Sequence, residues 1–170
     1  MTIHSGHPFL PPEDDRRPVR RLRGRLACGV TVVATGTGRD RAGLTVASLL
    51  VADGEPARIL ALVDDEAELS AAVRRTGVAA VSMLGWEHRA VADVFAGTAP
   101  SPGGAFRTGT WTDTAWGPVL VDCQAWAGCR AVGEPRDLGW SLLLELEVER
   151  VEIGPEGDPL IHHRGRYARP

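Results

Sequence analysis

The sequence predicts a mainly β protein, a Greek-key barrel with appended α-helices. Three observations point there. A β-branched run, Val30-Thr31-Val32-Val33-Ala34-Thr35, turns at Gly36–Asp40 and returns through Gly43–Val51 as a hairpin. The last third is also strand-like, with small apolar residues at 119, 121, 123, 125, 127 and 129 and a stripe of Leu142, Leu144, Leu146 and Val148. Between them lie only two amphipathic helix patterns, and short strands with few crossover helices suit a Greek-key barrel.

Residues 1–15 hold three prolines and an Asp-Asp pair with little periodic pattern, so residues 1–17 are expected to be a flexible leader and 18–170 the folded domain. Six arginines follow between Arg16 and Arg25. No aromatics interleave with them and the chain is net acidic, which argues against nucleic acid. The spacing predicts a short surface helix with Val19, Leu22 and Leu26 facing inward. After the hairpin, Arg58–Val63 is apolar at successive positions, so a strand covered on both faces is expected.

Ala67–Thr76 reads as a helix with Leu69, Ala72 and Val73 on one face, stopped by Gly77. Val78–Leu84 is a further buried strand. Trp86–Ala96 is an amphipathic helix through Ala90, Val91, Val94 and Phe95, ending at Gly97. Residues 98–117 are expected to be a long surface excursion. Val119–Cys129 then reads as one half-buried strand. In Trp140–Ile153 the apolar parity inverts after Val148, which predicts a β-bulge near Glu149–Arg150. The closing segment, Pro159–Tyr167, is basic.

The length of 170 residues suits one domain with a sizeable core. All 19 basic residues are Arg against 22 acids, a net charge of -3, which excludes a general nucleic-acid binder. The absence of Lys excludes a Schiff-base mechanism and a Walker-A loop, and the absence of Asn excludes N-glycosylation. No apolar run approaches the roughly 18 residues of a membrane span, and the N-terminus does not read as a signal peptide, so a cytoplasmic protein without membrane contact is expected. Cys28, Cys123 and Cys129 are expected to be free thiols. The last two, six residues apart on one strand, would lie about 20 Å apart, against the roughly 7 Å limit for a disulfide.

Few motifs carry chemistry. Gly36-Thr37-Gly38-Arg39-Asp40-Arg41 lacks the third glycine of a dinucleotide loop and is a hairpin turn. His162 and His163 fall on opposite strand faces without zinc-like companions, so no metal is expected. No G-x-S-x-G elbow occurs, and no catalytic acid, base or nucleophile stands out. Asp64-Asp65-Glu66-Ala67-Glu68 is expected to cap the helix that follows it. His88 and Arg89 sit where a helix start could hold an anion.

An ordered set of segments resembles the flavin reductase family with an FMN-binding split barrel. They are RRLRGRLACGVTVVAT (20–35), GLTVASLL (43–50), LALVDDEAELSAAVRRTGVAAVSML (60–84), DVFAG (93–97), GPVLVDCQAWAGCR (117–130) and the tail DPLIHHRGRY (158–167). The resemblance implies a homodimer of six-stranded split barrels, each binding FMN, with FAD as an alternative, near the subunit interface. It also implies NADH or NADPH as donor and a flavin-dependent monooxygenase as recipient of reduced flavin. Thr45, Val46, Ala47 and Ser48 would lie along the flavin ring, and Asp64, Asp65 and Arg89 toward the ribityl chain and phosphate. Trp140, Ser141 and His163 would lie on the donor side. Two departures stand out. Acids replace the family's basic and hydroxyl residues in the 64–68 loop, and Gly139-Trp140-Ser141 replaces its Gly-Asp-His. The alternative is a barrel that binds a flavin or another ligand without turning it over.

Overall fold

Pro18–Arg25 forms the first helix, α1, in a computed structural model that describes residues 18–170; the expected leader lies outside the described residues. The helix is where the sequence places it, but its apolar side is not covered. Val19, Leu22 and Leu26 are 74%, 66% and 59% exposed. Among the described residues none folds over them; α1 is tied to the C-terminal tail by the Arg164 N–H donating to Gly24 O at 2.8 Å.

Strands β1 (Cys28–Gly29), β2 (Thr31–Thr35), β3 (Ala42–Val46), β4 (Leu49–Ala52) and β5 (Arg58–Asp64) come next. β2 and β3 are the expected hairpin, in register from Thr31↔Val46 to Thr35↔Ala42. Gly36 opens its turn at φ 80°, a conformation open to glycine without steric cost. The returning strand, expected to run unbroken through residue 51, instead stops at Val46 and resumes at Leu49.

Helix α2 (Glu68–Thr76) ends on Gly77, whose N–H donates to Val73 O at 2.8 Å. Strand β6 (Val78–Met83) leads through a 3₁₀ turn at Trp86–His88 into α3 (Arg89–Phe95). The remaining strands are β7 (Trp111–Thr114), β8 (Gly117–Leu120), β9 (Ala125–Ala131), β10 (Arg136–Leu138), β11 (Ser141–Ile153), β12 (Ile161–His163) and β13 (Arg166–Ala168).

The main sheet has the order β3-β2-β6-β9-β11-β5-β4, with β10 added to β11. Its two ends, β3 and β4, are joined by Ala47 and Ser48 alone. A sheet whose edges are joined by two residues must curl on itself. The Leu62 N–H closes the curl by donating to Ser48 O at 2.9 Å. β11 supplies the stagger a barrel needs. Its first half pairs with β5 and its second with β9, with the expected bulge between Val148 and Arg150. This is the split barrel.

Three expectations need correction. β5 alternates, with Ile59, Ala61 and Val63 buried and Leu60 and Leu62 half-buried, because a barrel strand has one inner face. Residues 119–129 are two strands: the chain turns at 121–124, held by Gln124 N–H to Met83 O at 3.0 Å, and Val121 is 58% exposed. Cys123 and Cys129 therefore sit on different elements, yet both are buried and free; Cys28 is free and half-buried. The 98–117 excursion is partly core: Phe106 and Trp111 pack against Phe95 at 4.9 and 5.1 Å between ring centres.

Two apolar layers result. Val33, Val46, Ile59, Val63, Leu142, Leu144 and Leu146 fill the barrel, and Leu69 and Val73 of α2 pack into it. Val32, Ala80, Leu84, Val91, Phe95, Leu120 and Leu160 form the outer layer under α3. All five residues of β2 are buried because both layers cover it. The tail enters this layer between two strands: Val30 N–H donates to Leu160 O, and Leu160 N–H to Leu84 O, both at 2.9 Å.

Candidate functional site

The break between β3 and β4 leaves main chain open. Thr45 and Val46 have committed side chains. The Thr45 hydroxyl donates to Ala92 O on α3 at 2.8 Å. Val46 is buried in the barrel, and its carbonyl accepts the Thr31 hydroxyl at 2.8 Å. Ala47 and Ser48 follow, with little side chain to fill the space. Ser48 O is taken by Leu62, but the N–H groups of Ala47 and Ser48 meet no acceptor among the described residues. In a regular sheet such donors would be paired with a neighbour. Here they stand between a half-buried Ala47 and an exposed Ser48.

Strand register gathers other expected residues at the same rim. Leu49 faces Ala61, and Ser48 is bonded to Leu62, so the link lies level with the end of β5 at Val63–Asp64. Asp64 in turn pairs with Ser141 at the start of β11, and Trp140 precedes it, 71% exposed. Thr45–Ser48, Asp64–Asp65 and Trp140–Ser141 are distant in sequence and adjacent in the barrel. The acidic loop does not cap α2 through a side chain; Ala67 is the N-cap residue. Asp64 Oδ1 instead accepts the Glu66 N–H at 3.1 Å, closing a turn ahead of the helix.

Arg89 and His163 come from other elements. The Arg89 guanidinium lies 3.9 Å over the Trp86 ring and donates to Trp86 O at 2.7 Å. Arg169 packs over the same ring at 4.7 Å. His88, 5% exposed, accepts the Gly85 N–H on Nδ1 at 2.9 Å, and its Nε2 lies 3.3 Å from Asp122 Oδ1. The imidazole is thus fixed at the start of α3 through Nδ1, while its Nε2 faces the Asp122 carboxylate of the β8–β9 turn without a hydrogen bond.

His163 sits half-buried on β12, which hangs on β1 just before Thr31, the partner of Val46. Its neighbour His162 is held below its ordinary pKa by burial, then by the charges of Arg23 and His163. Tyr167 is pushed up by burial, then by Asp93 of α3. Among the described residues no three His, Cys, Asp or Glu side chains come together as a metal site.

Two contributors escaped the sequence reading. The Leu62 N–H holds the link open-side out, and nothing in a strand of Leu and Val signals that role. Gly43, two residues before Thr45, lets the Phe95 ring lie against β3. A glycine inside a strand pattern is the signal that could have found it.

The arrangement suits part of a flavin. A flat ring against the link would meet small side chains and two unpaired N–H donors, as its ring nitrogens and carbonyls require. Asp64, Asp65, Glu66 and Glu68 line the adjoining loop, where the resemblance would put the phosphate end.

The flavin reductase like domain matches residues 23–170. An FMN reductase (NADH), RutF, of Ancylobacter novellus is 30% identical over 157 residues, covering 92% of this chain and 86% of its own. The reductase component of 4-hydroxyphenylacetate 3-monooxygenase from Thermus thermophilus is 31% identical over 145 residues, 85% of this chain and 90% of its own. The solved NADH:FAD oxidoreductase of Streptomyces globisporus C-1027 is 25% identical and superposes with a TM-score of 0.80 over 94% of this chain and 96% of that one. A match over nearly the whole described chain, on a curled sheet closed by the Ala47–Ser48 link, places the protein in the flavin reductase like domain family.

Proposed function

We propose that the protein is an NAD(P)H-dependent flavin reductase that reduces FMN and releases it to a partner monooxygenase. The observation that carries this reading is the open link at Ala47–Ser48, with its unpaired N–H donors, in a chain of this family. The named relatives support it: one is an NADH-dependent FMN reductase and another the reductase component of a monooxygenase.

When both are bound, the nicotinamide and the flavin supply the chemistry, a hydride passing from one ring to the other. The protein's part is positional. The main chain from Val46 to Ser48 floors the ring, and the Ala47 and Ser48 N–H groups fix its polar edge. The packed barrel behind Val46 keeps the ring outside and shields one face from water. Trp140, Ser141 and His163 flank the side left for the donor. No side chain need move a proton.

The reading includes a homodimer. Exposed Leu50 and Val51 on the edge strand β4, at 69% and 58%, and Leu138 and Trp140 near the rim, at 53% and 71%, are apolar surface that a second copy would cover.

A second reading, a barrel that binds flavin without turnover, is favoured by the acidic loop and by Trp140–Ser141 in place of the family's usual residues. Oxidation of NADH or NADPH that depends on added FMN supports the reductase. Flavin binding with neither donor oxidised supports the second reading.

A further inference from the structure

We propose that this site discriminates against the flavin's phosphate, taking riboflavin at least as well as FMN. The inference rests on the flavin reading above. Asp64, Asp65, Glu66 and Glu68 fall within five residues, at the rim level with the Ala47–Ser48 link. Asp65, Glu66 and Glu68 are exposed, and none of the four has an ion-pair partner among the described residues.

A helix start can hold an anion, but the one here is lined by the chain's own acids. The Glu66 N–H is bonded to Asp64 Oδ1, the Ala67 N–H to Asp64 O, and Glu68 itself stands in the first turn of α2. The chain's own carboxylates answer the positive end of the helix.

Arg89, the cation expected at the phosphate end, is committed elsewhere. Arg89 is stacked on Trp86 and bonded to its carbonyl. Arg58 is at the opposite end of β5, paired with Glu145 and Glu147. A phosphate carrying about -1.5 to -2 charges would therefore enter a field of like sign. Riboflavin offers the same ring and ribityl chain without that charge. The repulsion acts through solvent, so salt must weaken it.

The sign of the salt effect is the test. Quenching of flavin fluorescence gives the dissociation constants of riboflavin and FMN for the full chain, without turnover. Riboflavin is expected to bind as tightly as FMN or tighter. Raising salt to about 0.5 M should tighten FMN and leave riboflavin unchanged, because the Debye length shrinks well below the loop's dimensions. The variant Glu66→Ser/Glu68→Ser should bind FMN about tenfold tighter, with riboflavin unchanged within about twofold. FMN bound at least about tenfold tighter than riboflavin, and loosened by salt, would mean that cations hold the phosphate and overturns the proposal alone. Failure of both flavins to bind overturns the flavin reading and this inference with it.

Discussion

Substituting Gly43 with Ala tests whether the outer aromatic layer presses on the strand that ends at the candidate site. A methyl there would lie 2.6 Å from Phe95 Cε1, 2.9 Å from Cδ1 and 3.2 Å from Phe106 Cζ. Carbon atoms rest at about 3.5–4.0 Å, so the Phe95 ring would have to retreat by about 1 Å. It has nowhere to go. Phe95 is 4% exposed, meets Phe106 edge-on at 4.9 Å and leans on Trp111 at 5.1 Å. Overpacking of this kind costs about 1–3 kcal/mol. Replacing a strand glycine by alanine returns only about 0.5–1 kcal/mol through the unfolded state. Sterics win, and a net loss of about 1–2 kcal/mol is expected. Urea unfolding should show a lower midpoint with an unchanged slope. In a Phe95→Leu background, where the ring is gone, the same substitution should cost at least about 1 kcal/mol less. A Gly43→Ala protein as stable as the parent would show that the ring does not bear on β3, and the reasoning would fail.

Three further outcomes are expected. Leu160→Ala empties a fully buried site in the tail and should cost about 2–5 kcal/mol in urea unfolding; a loss under about 1 kcal/mol would mean that the tail is not part of the core. Burial pushes the Cys129 thiol from 9.0 up to about 12, so the unfolded chain releases that proton first. Its effect on stability is nil below about pH 9 and grows by about 1.4 kcal/mol per pH unit above it, and Cys129→Ala should flatten the alkaline loss. Equal slopes in the two proteins would contradict this. His162, held below 6.5, resists a proton that the unfolded chain accepts, so its contribution is present above about pH 6.5 and is lost as pH falls further. An NMR titration should place its midpoint below 6.5 and move it upward in Arg23→Gln; a midpoint at or above 6.5 would refute the account.

Much of the fold was legible because local chemistry set it. Gly77 stopped α2, Gly36 opened the β2–β3 turn, and the parity change after Val148 announced the bulge in β11. These signals depend on a residue and its near neighbours. The misreadings share one cause. The apolar alternation of 119–129 hides a turn, since Val119, Cys123, Ala127 and Cys129 are all buried although the strand breaks between Leu120 and Ala125. Val19, Leu22 and Leu26 have the spacing of a buried face, but burial needs a second surface that periodicity does not supply.

For the site, the sequence by itself determined the material. It set small residues at 47 and 48, acids from 64 to 68 and Trp140 beside Ser141, and their order resembled a known family. It could not decide which of these would meet. Residues 43–50 read as one strand, and only closure of the sheet sent β3 and β4 to opposite edges. That closure left two N–H groups without acceptors among the described residues and set the acidic loop and Ser141 at their level. The reason is physical: a strand's side-chain pattern encodes which face is buried, while its backbone partners are chosen by the whole sheet.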